Sequence, residues 1–112
     1  MYFRGSRIVI AGFDVTNRQS FELCKDRIGT IRSEYNFDGV IVAVGNKIDL
    51  VDEREISTDE ARKCFAEMKL PIPYFETSAK TGEGVNELFD NALRILFNPG
   101  FAESYIEKSL QN

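Results

Sequence analysis

Two short polar clusters stand out for the side chains they combine. Gly45-Asn46-Lys47-Ile48-Asp49 brings a carboxamide, an ammonium and a carboxylate within four positions. Thr77-Ser78-Ala79-Lys80 brings two hydroxyls and a second ammonium. These groups can accept and donate hydrogen bonds to the edge of a ligand, so their natural chemistry is recognition. The residues for catalysis are scarce. The chain has no histidine, which excludes imidazole acid–base chemistry and histidine-bound zinc. Its cysteines, Cys24 and Cys64, fall on apolar helical faces and read as small core residues. No catalytic residue and no metal ligand is assigned. Taken one at a time, the polar residues have plainer roles. Asn and Asp after a strand form turns, and a Lys-x-Asp pair on the surface is worth ~0–1 kcal/mol.

The elements around these clusters place them. Ile8-Val9-Ile10-Ala11-Gly12-Phe13 and Val40-Ile41-Val42-Ala43-Val44 are unbroken apolar runs, the pattern of parallel strands covered on both faces. Between them Phe21, Cys24, Ile28, Ile31 and Tyr35 recur at helical spacing, and Thr16 with Gln19 fits a capping box. Ser57 with Glu60 fits another, opening a helix with Ala61, Cys64, Phe65 and Met68 on one face and Pro71 and Pro73 at its end. Tyr74-Phe75-Glu76-Thr77 reads as a short third strand. Gly82 and Gly84 mark a turn, and Val85, Leu88, Phe89, Ala92, Leu93 and Leu96 form an apolar helical stripe. After Asn98-Pro99-Gly100, a weaker helix is read through Phe101, Tyr105, Ile106 and Leu110. Strand and helix alternating three times predicts an α/β fold with a parallel sheet. Ligands of such sheets sit beyond the carboxyl ends of the strands, where both polar clusters fall.

With that placement the pair becomes specific. It resembles the N-K-x-D and S-A-K guanine-recognition motifs of small GTPases, in the right order on the right elements. Tyr2-Phe3-Arg4-Gly5 and the stretch from Phe13 to Phe21 are similar to the Rab branch of the Ras superfamily. The resemblance covers about residues 1 to 97 and implies the C-terminal half of a Rab-like G domain (a partial P-loop NTPase fold of three parallel strands alternating with helices plus a C-terminal helix). Residues 98–112 are then a tail. The resemblance makes Asp49 the carboxylate that accepts the paired N–H donors of guanine. It gives Asn46 the base edge and the neighbouring loop, lays Lys47 and Lys80 against the two faces of the base, points the Ala79 N–H at the guanine carbonyl, and has Ser78 brace the loop.

No G-x-x-x-x-G-K-S/T loop, D-x-x-G motif or switch threonine occurs in these residues. The expectation is therefore weak binding of GTP or GDP, no hydrolysis by this chain alone, and magnesium only where a complementary N-terminal half is supplied. The implied partners are guanine nucleotide, that half, and GTPase regulators or effectors, with a family role in vesicle trafficking or signalling. A non-catalytic interaction scaffold or truncated gene product is the alternative. Arg27 stands where Rab-like chains often carry tryptophan. The strand at residues 8–13 is expected to have a bare edge, and helix faces that would cover absent strands are expected to be exposed.

Composition sets the outer bounds. In 112 residues, 43% are hydrophobic and 29% charged, which excludes disordered, collagen-like and disulfide-scaffold classes. A net charge of −4 with no basic stripe argues against nucleic acid. No apolar run reaches the roughly 20 residues of a membrane helix, and the start lacks a secretory signal. Cytoplasmic residence is expected. So is the absence of a prenyl anchor, since no cysteine stands near Asn112.

Overall fold

Apolar residues dominate the strands, and their alternation divides the core in two. A computed structural model describes residues 8–34, 37, 39–98 and 100–110. β1 (Ile8–Asp14), β2 (Val40–Asn46) and β3 (Tyr74–Glu76) form a parallel sheet in the order β1-β2-β3. Val9, Ala11 and Phe13, with Ile41, Ala43 and Tyr74, point to one face. Val42, Val44 and Phe75 point to the other. Among the described residues β1 is an outer strand of this sheet. β1 and β2 run past the apolar segments that announced them, to Asp14 and Asn46, whereas β3 stops at Glu76, one residue short of its reading.

The first face is covered by α1 (Arg18–Ser33) and α2 (Thr58–Ala66). Phe21, Cys24 and Ile28 enter from α1, and Ala61 and Phe65 from α2. Phe13, Phe21, Phe65 and Tyr74 join in one aromatic cluster, with the Phe13 and Phe21 rings 4.9 Å apart. The second face takes α3 (Val85–Phe97) through Leu88 and Ile95, and α4 (Gly100–Leu110) through Phe101, Ala102 and Tyr105. Tyr105 stacks on Phe75 at 4.9 Å.

Several boundaries differ from the sequence reading. The first helix is capped by Asn17, whose side chain accepts from Ser20 N at 3.1 Å. Thr16 is drawn away because its hydroxyl donates to Asp14 Oδ1 at 2.6 Å. The cap at Ser57 holds, with Glu60 N donating to its hydroxyl, but the Glu60 carboxylate turns to Arg18 at 2.8 Å. α2 ends at Ala66, well short of Pro71. On α3 the buried positions are Leu88, Ala92 and Ile95. Phe89 and Leu93 are about half exposed (52% and 51%), because the apolar arc of this helix is wider than the sheet it meets. Tyr35, Pro99, the stretch Tyr2 to Gly5 and the side chain of Leu110 lie outside the described residues.

Candidate functional site

β2 and β3 end side by side, so their trailing loops meet. Gly45 pairs in register with Glu76, Thr77 N donates to Gly45 O at 2.9 Å, and Ile48 N donates to Thr77 O at 3.4 Å. Gly45 has to be small, since a Cβ there would stand 2.2 Å from Tyr74 Oη.

The Asn46 carboxamide oxygen is the hub of the two loops. It accepts from Lys47 N at 2.8 Å and from Ala79 N at 3.2 Å, and Thr77 Oγ1 stands 3.4 Å away. Ser78, fully buried, donates its hydroxyl to Asp49 Oδ1 at 2.8 Å and accepts from Thr81 N. Asp49 is thereby oriented. An ionised carboxylate offers about four lone-pair sites, and the Ser78 bond occupies one. Asn46 and Asp49 are half-buried, whereas Lys47, Ala79 and Lys80 are exposed. The result is a platform anchored from within and open to solvent at its rim.

The structure thus brings Asn46, Lys47, Asp49, Ser78 and Ala79 into one hydrogen-bonded cluster. Lys80 follows directly, exposed, with no bond tying it to the cluster among the described residues. The Ala79 N–H already has an acceptor in Asn46, so donation to a ligand carbonyl requires that bond to be shared or exchanged.

Residues outside the two motifs brace the site. Arg54 forms an ion pair with Glu76, which also accepts from Tyr74 Oη at 2.7 Å and Thr58 Oγ1 at 2.9 Å. Burial pushes the Glu76 carboxyl up, but these three donors outweigh it and hold it below the ordinary glutamate value. Burial and the Glu76 carboxylate together raise the Tyr74 phenol. The charged stretch Asp52-Glu53-Arg54-Glu55 faces solvent only in part. Arg54 turns inward, and Glu55 accepts from Arg18 N at 2.9 Å. No local spacing announces these bonds, since the partners are 22 and 37 positions apart. Asp14 was legible only as part of the resemblance. Its place beside Asn46 follows from strand register.

A three-stranded parallel sheet with these two loops at its carboxyl end is the architecture of a partial α/β GTPase domain. The family model for the Ras family matches residues 1–98, and the chain belongs to that family. Within it the likeness is to the Rab branch. The chain is 40% identical over 95 residues to "Ras-related protein Rab-4" of Dictyostelium discoideum, a match covering 85% of this chain and 45% of that protein. The chain spans less than half the length of this curated relative. α4 lies beyond the residues the family model matches.

Proposed function

We propose that the two loops form the base-recognition part of a guanine-nucleotide site. The observation that carries this reading is the Asp49–Ser78 bond at 2.8 Å, which ties the carboxylate of one motif to the loop of the other. Guanine presents two neighbouring donors, its ring N1–H and exocyclic amine. One carboxylate accepts both, in a charge-assisted pair of the strong kind. Adenine lacks that pair and would leave the carboxylate desolvated with the Ser78 hydroxyl as its one donor. Asn46 takes the rest of the base edge, Ala79 N–H the guanine carbonyl oxygen, and Lys47 and Lys80 lay their aliphatic stems along the base faces.

The affinity of these contacts alone is small. Hydrogen bonds to a charged group contribute ~1.5–3 kcal/mol and the others about 1 kcal/mol, against ~4–15 kcal/mol of freedom lost on association. A dissociation constant of roughly millimolar or weaker follows. Phosphoryl transfer needs a phosphate cradle and a metal to neutralise charge. The proposal assigns those roles to no residue of this chain, so GTP hydrolysis by the chain alone stays at background, and magnesium enters only with a complementary N-terminal half. In that setting the family's role in vesicle trafficking, its regulators and effectors, and a cytoplasmic setting come within reach. No helix among the described residues is long and apolar enough to cross a membrane.

A second reading is an interaction scaffold. It is favoured by the exposure of Phe89, Leu93 and Phe97 on α3.

Ligand-observed saturation-transfer NMR with GMP and AMP tests the first reading. The guanine H8 should receive more saturation than the ribose H5′ protons, and AMP should respond more weakly. An equal response to AMP removes guanine preference.

A further inference from the structure

The Lys47 ammonium lies 3.0 Å from Asp14 Oδ2. The other oxygen of that carboxylate accepts from Thr16 N at 2.8 Å and from Thr16 Oγ1 at 2.6 Å. Two donors thus fix Oδ1 and leave Oδ2 to the lysine. The parallel register sets Asp14 opposite Asn46, and Val15 N donates to Asn46 O at 3.1 Å. Lys47 has φ +68°, the one non-glycine positive φ among the described residues. Left-handed backbone is costly for a residue with a Cβ and persists where its surroundings over-determine it.

As a source of stability this pair counts for little. The side chains are 54% and 25% exposed, so water screens the attraction. As a restraint it counts for more. A lysine that must be frozen against a flat ligand loses rotamer entropy on binding, and one already pinned at its tip loses less.

We infer that Asp14 is a positioning residue of the base platform, holding Lys47 extended so that its stem is ready to lie against a purine. The inference rests on the guanine reading above and adds to it a residue outside both motifs, contributed by a different strand. Burial opposes ionisation of Asp14, but the Thr16 bonds and the Lys47 ammonium prevail and keep its carboxyl below the ordinary value, so the anchor is charged at neutral pH.

A double-mutant cycle on the full chain tests it, with GMP affinity read from 15N–1H shifts for wild type, Asp14→Asn, Lys47→Met and the double variant. Asp14→Asn should weaken GMP about three- to tenfold when Lys47 is present, and have no further effect in Lys47→Met. An equal loss in both backgrounds, or none in either, overturns the inference while leaving the guanine reading standing. A wild-type chain with no saturable GMP response overturns both. Should Asp14→Asn fail to fold, 13C relaxation of the Lys47 ε-methylene in the unaltered chain decides. Order like that of buried methylenes supports the anchor, and the mobility of a free surface lysine overturns it.

Discussion

Glu76 has the most heavily bonded carboxylate near the site, held by Arg54, Tyr74 and Thr58. Its pKa is lower in the folded chain than the ordinary 4.5. The unfolded chain therefore binds the proton more readily, so the contribution is complete above about pH 4.5 and is lost as pH falls through the lower folded value. Urea unfolding from pH 6 to pH 3 should show a steeper acid decline for wild type than for Glu76→Gln, and parallel declines would contradict this account. Removing the partner, as in Arg54→Met, should cost about 1–3 kcal/mol, less than for a fully buried pair because both groups keep some contact with water. At this scale the sequence was legible only where residues lie close together. Asn46, Asp49 and Ser78 could be singled out by motif. Arg54 with Glu76 and Asp14 with Lys47 could not, because strand register and loop path, not spacing, bring them together.

The loop after β3 shows how an element depends on one backbone position. Gly84 caps α3 with φ +78°, and a Cβ there would stand 2.1 Å from Glu76 O, a backbone atom. Gly82 has a similar φ of +83° with nothing within 4 Å. Both read alike in the sequence, yet their substitutions should differ. Gly84→Ala should destabilise by about 3 kcal/mol or more, since the end of β3 or the start of α3 must move. Gly82→Ala should cost about 1 kcal/mol, the penalty of left-handed backbone alone. Equal losses in denaturant unfolding would show that the close approach at Gly84 is relieved without cost. The strands and helices themselves were largely legible, since an unbroken apolar run and a helical stripe each signal burial directly. The exact cap was not, because Thr16 and Asn17 are both good capping types and the choice fell to Asp14, which engages Thr16.

Over the whole molecule, two helices cover each face of the sheet but not equally. Phe89, Leu93 and Phe97 leave α3 with an exposed apolar stripe, Phe97 being 82% exposed. Substituting Leu93 and Phe97 by lysine should change stability by no more than about 0.5 kcal/mol, while lowering self-association in light scattering. By contrast Leu88→Ala, buried on the same helix, should cost about 2–4 kcal/mol. A large loss from the lysine variants would mean the stripe is packed in solution. The sequence foretold an exposed helix face but not which residues form it, because the stripe on α3 is apolar over more of its circumference than one sheet can bury. The account as a whole turns on the meeting of the loops after β2 and β3, and the amide shift of Ala79 during a GMP titration tests it most directly. The account predicts a saturable, millimolar movement of the Ala79, Asn46 and Asp49 amides that disappears in a folded Asp49→Ala chain. The same movement in Asp49→Ala, or movement confined to α3, would contradict it.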